Sequence, residues 1–352
     1  MALWVDKYRP TKLDDLSYHK DQVEKIRCMV KEDNFPHLLV HGPTGAGKKT
    51  RIRCILSELY GVGAERLRLE TKAFQTVSKK TIDIQTLSSN YHIELSPGDA
   101  GIHDRVVIQE IVKQMAQSAQ LDTSQKPFKV LVLMDVDRLT RDAQHALRRT
   151  MEKYSANCRL ILCCESLSRV IEPLQSRCVS IRVAAPSDEE IKKIALKVAE
   201  SEKVSIPSTV LTEVIQKAHG NLRKCLLMIE AAKAQNYPIK ENQTVPIPEW
   251  QFFIKETAEL MIRTQKNETV LAVRERLYEI LSRCIPATRV FEELIKALVP
   301  FCSNEVLGKM VIEAASCEHR MCKGQKAIFH LEAFVVAFMD IYATELLSKK
   351  SK

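Results

Sequence analysis

Short apolar runs separated by amphipathic stretches dominate the first half of the chain. His37-Leu38-Leu39-Val40, Tyr91-His92-Ile93-Glu94-Leu95, Val130-Leu131-Val132-Leu133-Met134, Leu160-Ile161-Leu162-Cys163 and Val179-Ser180-Ile181-Arg182-Val183 have the length and apolar character of strands in a parallel sheet. Helical periods lie between them. Over 105–120, Val107, Ile111, Met115 and Ala119 recur at four-residue spacing and leave Arg105, Lys113 and Gln117 on other faces. This alternation predicts an α/β domain with a mostly parallel sheet.

Beyond Pro186 the strand signal ends. Ser187 and Glu190 have capping-box spacing and open a helix through Ile191, Ile194 and Val198. A second helix follows Pro207-Ser208, and Gly220 separates it from a third over 221–235. Residues 236–249 carry Pro238, Pro246 and Pro248 among polar neighbours and read as a linker, after which helical periods run almost to the end. The expected organisation is an α/β domain over 1–185, a small helical lid over 186–237 and an all-helical C-terminal domain over 238–352.

The chain has ten glycines, and three of them fall together at Gly42, Gly45 and Gly47, marking a loop whose backbone approaches a ligand closely. Gly42-Pro43-Thr44-Gly45-Ala46-Gly47-Lys48 has P-loop spacing, and it sits between the strand at 37–40 and a helix beginning near Arg51. In such a loop successive backbone N–H groups face phosphate oxygens and the lysine balances their charge. A purine nucleoside triphosphate or diphosphate is the ligand expected.

Two positions depart from what phosphoryl transfer requires. The residue after the P-loop lysine normally supplies a hydroxyl to Mg²⁺, and here it is Lys49, with Thr50 one place later. Either Thr50 substitutes through a shifted helix start, or the site holds nucleotide without an ordered metal. At the end of the strand 130–134, Met134 and Asp135 stand where an Asp for the metal and a Glu for the attacking water are usual. A thioether is a poor Mg²⁺ ligand, and Asp135 is one methylene shorter than Glu. Slow or absent hydrolysis is expected; Asp135 and Asp137 are read equally as weak catalytic groups or as strand-end and capping residues.

Composition narrows the setting. A length of 352 residues allows two or three domains. With 45% hydrophobic and 28% charged residues, and no run approaching the roughly 18 apolar residues of a membrane span, a soluble protein without membrane contact is expected. The opening Met1-Ala2-Leu3-Trp4-Val5-Asp6-Lys7 fits neither a signal peptide nor a transit peptide, so cytosol or nucleus is expected. Eleven cysteines scattered through apolar runs read as reduced thiols, and Cys317, His319 and Cys322 lack the second pair that a zinc site needs. A net charge of +9 hints at polyanion contact.

Four further motifs occur in order: Trp4-Val5-Asp6-Lys7-Tyr8-Arg9-Pro10, Asp142-Ala143-Gln144-His145-Ala146-Leu147-Arg148-Arg149-Thr150-Met151-Glu152, Ser176-Arg177-Cys178 and Asn221-Leu222-Arg223-Lys224. With the P-loop they resemble the small subunits of the eukaryotic sliding-clamp loader, replication factor C, in the AAA+ class. The resemblance covers essentially the whole chain. It implies a P-loop AAA+ domain, a helical lid and a helical collar that joins five subunits, so that one large and three other small subunits are partners. The extra segment 71–90, the Lys48-Lys49 doublet and the altered acidic motif resemble the subunit at one end of the open spiral.

The resemblance also implies roles. Val5, Tyr8, Arg9 and Pro10 would lie at the adenine of ATP or ADP, the loop from Gly42 to Thr50 at its phosphates, and Arg223 beside them. Read alone, Trp4, Val5 and Tyr8 equally form an arm stapled to a core, and Arg223 a solvated helix residue. Arg177 would act as an arginine finger on a neighbour's nucleotide; its bland alternative is a strand-flanking surface residue. Glu165 replaces the asparagine of the family's first sensor. The implied work is loading the PCNA clamp onto primer–template DNA in the nucleus, during replication and repair. DNA would be gripped through phosphates, with Arg105 and Lys113 as candidates, while Arg148 and Arg149 suit a subunit interface. A self-sufficient ATPase or helicase, and a ring member that never binds nucleotide, are the competing functions.

Overall fold

A computed structural model of the chain describes residues 2–32, 35–75, 81–117, 126–155, 157–240, 243–324 and 326–350. They form two compact units, Met1–Val245 and Pro246–Lys352. The first unit is built on a seven-stranded sheet of order β2-β3-β4-β5-β6-β1-β7. The strands are β1 (Leu38–His41), β2 (Arg68–Gln75), β3 (Thr81–Ser88), β4 (His92–Leu95), β5 (Lys129–Leu133), β6 (Cys158–Cys164) and β7 (Val179–Arg182). From β4 to β7 all pairings are parallel; β2–β3 and β3–β4 are antiparallel.

The first unit's helices are α1 (Trp4–Lys7), α2 (Lys20–Lys31), α3 (Lys48–Tyr60), α4 (Asp104–Gln117), α5 (Arg141–Lys153), α6 (Glu172–Gln175), α7 (Asp188–Ser201), α8 (Ser208–Ala218) and α9 (Leu222–Gln235). Both faces of the sheet's centre are covered, which is why β1, β5 and β6 read as unbroken apolar runs. On one face Leu38, Val40, Val130, Val132 and Ile161 pack with Val23, Ile26, Ile52 and Ile55 of α2 and α3. On the other, Leu39, Leu131, Leu133 and Leu162 pack with Val107, Ile111 and Met115 of α4 and with Leu147 and Met151 of α5. Ala119, placed on that same face by its spacing, lies outside the described residues. The buried Asp104 ties the two helices together at their starts, accepting from the Arg105 N–H at 2.7 Å, the Thr140 N–H at 2.7 Å and the Thr140 hydroxyl at 2.9 Å.

The hairpin β2–β3 was not expected from the pattern. Along β2 only Phe74 is buried, because an edge strand faces solvent on one side and carries no apolar run. Residues 76–80 of the extra segment lie outside the described residues.

Helices α7, α8 and α9 pack around Ile191, Val214, Cys225 and Ile229. The capping box at α7 is present, with Ser187 accepting from the Glu190 N–H and the Glu190 carboxylate accepting from the Ser187 N–H. Ile239 and Val245 are buried in the same cluster. The chain therefore stays with this unit beyond the expected boundary at 237, and the second unit begins at Pro246 instead of 238.

The second unit is helical throughout: α10 (Glu249–Arg263), α11 (Asn267–Ser282), α12 (Ala287–Leu298), α13 (Asn304–Lys323) and α14 (Ala327–Lys350). Ala327–Leu347 is long enough and apolar enough, at a mean hydropathy of 1.5, to match a membrane span by length and composition. One face of it is built into this unit's core: Leu331, Phe334 and Phe338 have no solvent exposure, and Glu332 accepts from two guanidinium nitrogens of Arg274. On α13, Cys317 is buried in this core while His319 and Cys322 are exposed, so the three do not converge.

Phe334 meets Phe291 edge-on at 4.9 Å between ring centroids. Phe334→Ala is expected to cost about 3–5 kcal/mol of second-unit stability. Urea titration of the full-length chain should show the second unit's transition moved to lower denaturant.

Candidate nucleotide site

Residues 42–47 connect β1 to α3 and run beneath two side chains that fix their path. Gly47 is the N-cap of α3 at φ 84°, and a Cβ there would sit 2.4 Å from the Tyr18 hydroxyl. Gly45, at φ 75°, would place a Cβ 1.9 Å from Asn221 Oδ1. Only glycine fits these left-handed, tightly covered positions. Tyr18 donates its hydroxyl proton to the Ala46 carbonyl at 2.7 Å, and Asn221 caps α9 by accepting from the Lys224 N–H at 3.0 Å. The loop is thus braced from below by the core and from above by the lid. Tyr18 is itself held by the fully buried Arg51, which donates to its carbonyl at 3.1 Å and lies 5.1 Å from its ring centroid. Lys48 donates to the Gly42 and Pro43 carbonyls at 2.7 and 3.0 Å, which keeps its ammonium over the loop.

Beside the loop lies a cavity of about 340 Å³, within the usual size for a small-ligand site. Val5, Tyr8, Arg9 and Pro10 line it from the N-terminal arm, Gly45, Gly47 and Thr50 from the loop, and Ile194, Val198, Leu222 and Arg223 from the lid. The lining mixes apolar side chains suited to a base with the cationic Lys7, Arg9, Lys197 and Arg223. Burial lowers the pKa of Arg9 most, and the positive charges of Arg53 and Arg223 add to that effect while Asp6 opposes it.

The arm divides between its two expected roles. Trp4 is buried in the lid core, with the Lys233 ammonium 5.1 Å from its ring centroid, whereas Val5 and Tyr8 face the cavity. Glu202, at the end of α7, accepts from Tyr8 Oη at 2.7 Å and Lys7 Nζ at 2.6 Å. Those two hydrogen bonds hold its carboxyl below the ordinary range.

The metal side of the site is built differently from the phosphate side. Lys49, expected among the nucleotide contacts, commits its ammonium to Glu94 of β4 and does not line the cavity. The Glu94 carboxylate is nearly buried and needs a counter-charge there. Met134 is partly buried against the sheet core. Asp135, held in a left-handed conformation at φ 50°, starts a short 3-10 turn. Burial pushes its pKa up, and of the charged groups around it Arg138 and Lys48 oppose the rise while Asp137 and Glu165 add to it. Among the described residues no three His, Cys, Asp or Glu side chains gather as a metal cluster. Thr50 offers one hydroxyl and Asp15 one carboxylate to the cavity wall. Lys49 and Met134 supply no oxygen at the two positions where P-loop ATPases place their usual Mg²⁺ ligands.

The remaining candidates lie away from the cavity. Arg177 follows α6 and pairs with Glu152 of α5 at 2.6 Å. Arg105 and Lys113 are exposed on α4, and Arg149 is exposed on α5. Tyr18, Glu94, Asn221 and Glu202 were not identified as site residues from sequence. Each works through a contact with a residue distant in the chain, and only Asn221, as a helix N-cap, left a local signal.

Because burial raises the Asp135 pKa, its charged form weakens the fold above the ordinary aspartate range, and that penalty fades once both folded and unfolded chains are protonated. Asp135→Asn, which keeps the shape and tolerates a left-handed backbone, should therefore raise Tm near neutral pH. Thermal melts across pH should show the gain shrinking as the medium becomes acidic.

Comparison with known proteins bears on the whole chain. A family model described as replication factor C subunit 3, C-terminal domain, matches residues 250–346; an RCF1/5-like AAA+ ATPase lid model matches 185–234, and a DNA polymerase III delta subunit model matches 18–187. Replication factor C subunit 3 of Mus musculus is 52% identical over 97% of this chain and 96% of its own length. The Arabidopsis thaliana subunit 3 is 45% identical over 98% and 99%, and subunit 5 of Schizosaccharomyces pombe is 44% identical over 97% of both chains. Among solved structures, the Thermotoga maritima RuvB Holliday junction branch migration motor matches with a TM-score of 0.50 at 15% identity, over 76% of this chain and 85% of that one. That likeness concerns the AAA+ fold alone. With its phosphate loop, lid and helical second unit matched in order to relatives of equal length, the chain belongs to the replication factor C family, as a subunit of the 3/5 type.

Proposed function

We propose that this chain is a clamp-loader subunit that grips an adenine nucleotide, hydrolyses it slowly or not at all, and lends Arg177 to the ATP site of the subunit beside it. The observation that carries this reading is the pairing of Lys49 with Glu94 next to a complete phosphate loop. Binding needs the main-chain amides of residues 42–48 and a wall for the base; the glycine-determined path of the loop and the cavity beside it support that requirement. Hydrolysis needs oxygen ligands for Mg²⁺ and a base for water; an ammonium, a thioether and a short carboxylate stand in their places.

The partners of this reading are the other replication factor C subunits, one large and three small, the PCNA clamp and primer–template DNA in the nucleus, in replication and in repair. Arg105 and Lys113 would meet DNA phosphates, a contact indifferent to sequence and weakened by salt. An arginine finger stabilises the charge that spreads over the transferred phosphoryl group. A subunit with a weak site of its own is then still required by its neighbour.

A self-sufficient ATPase or helicase would need the metal ligands that Lys49 and Met134 displace. A ring member without nucleotide would leave the braced loop and its cavity without a use.

Two outcomes follow. Arg177→Ala should lower turnover at the neighbouring site by about a thousandfold, seen as a fall in steady-state ATP hydrolysis by the assembled complex with nucleotide binding to this chain intact. ADP affinity of this chain, measured by calorimetry, should be the same in Mg²⁺ and in EDTA. Brisk hydrolysis by the isolated chain, or failure to retain any adenine nucleotide, overturns the reading.

A further inference from the structure

The Arg177 guanidinium is spent on its own chain in an ordered way. Nε donates to a Glu152 carboxylate oxygen at 2.7 Å, Nη2 lies 2.6 Å from the same oxygen, and Nη1 donates to the Pro173 carbonyl at 2.8 Å and to the Ser176 hydroxyl at 3.5 Å. A guanidinium carries five N–H groups in a rigid planar fork. Glu152 takes the side edge formed by Nε and Nη2, while Nη1 is turned toward Pro173 and Ser176. The carboxylate therefore sits clear of the outer end of the fork, between Nη1 and Nη2. That end has the parallel geometry that grips two oxygens of a phosphate.

We propose that Glu152 is a positioning residue for this arginine, holding the guanidinium by one edge so that its open end faces a phosphate of the neighbouring subunit. The inference rests on the trans role of Arg177 proposed above. A carboxylate that blocked the finger would sit on the terminal pair; this one sits at the side. Glu152 is a firm base for the task, because the residue before it, Met151, is buried in the sheet core and fixes the last turn of α5. Arg148, one turn earlier, places its Nε 3.8 Å from the same carboxylate oxygen. The Arg177 and Glu152 side chains are about one third and one half exposed, and ion pairs so placed add little to stability. Aim, not stability, is what the pair supplies.

The test uses the assembled complex. Glu152→Ala should slow ATP turnover at the neighbouring site by up to about a hundredfold, the scale for a reacting group displaced by an ångström. KM for ATP, nucleotide affinity of this chain and yield of the complex should be unchanged. Glu152→Gln, which keeps an acceptor oxygen, should recover part of the rate. The double variant Glu152→Ala with Arg177→Ala should be no slower than Arg177→Ala alone, since the two act as one unit. Wild-type turnover in Glu152→Ala beside an impaired Arg177→Ala overturns the positioning role and leaves the finger standing. Losses that multiply in the double variant, or a complex that no longer assembles, overturn it as well. Wild-type turnover in Arg177→Ala removes the finger and this inference with it.

Discussion

Lys49 and Glu94 form an ion pair at the first turn of the helix that follows the phosphate loop, and the chemistry available to the chain depends on that pair. The carboxylate sits in β4 with little access to water, and a buried carboxylate without a partner is costly. The ammonium answers that need from the position where a metal-binding hydroxyl would otherwise stand. The pair thus puts an ammonium where a metal ligand is usual and neutralises a carboxylate of the interior strand β4 with the same two side chains. Meanwhile the loop beside it is fully built, since its conformation depends on glycine geometry, Tyr18 and Asn221 and not on a cation.

This separation of gripping from reacting explains how a replication factor C subunit of the 3/5 type retains its nucleotide fold with altered acidic residues. Phosphate binding is a main-chain property spread over several amides. Phosphoryl transfer depends on a few side chains placed to within an ångström. In the function proposed, Lys49, Met134 and Asp135 bear on the second and spare the first, and the reactive contribution passes to Arg177, on an exposed face well separated in sequence from the loop.

Much of the architecture was legible because its signals are local. Strands β1, β5 and β6, covered on both faces, leave continuous apolar runs, and the capping residues Ser187 and Asn221 mark helix starts within a few positions. The hairpin β2–β3 left no such trace, since its outer strand buries only Phe74 and its inner one alternates weakly. The phosphate loop was legible for the same reason as the strands: one contiguous segment does the binding. Tyr18, Glu94 and Glu152 were not, because their roles arise from contacts with Ala46, Lys49 and Arg177 that only the fold brings together.

Glu202 gathers Lys7, Tyr8 and, at 3.8 Å, Lys233 around one carboxylate, while Trp4 is sunk among the lid side chains. The amino-terminal arm and the three-helix lid are consequently clasped into a single wall along the cavity. Swinging that wall aside means either parting the clasp or moving arm and helices as one piece, so a bound molecule meets a door hinged from both ends of the domain's sequence.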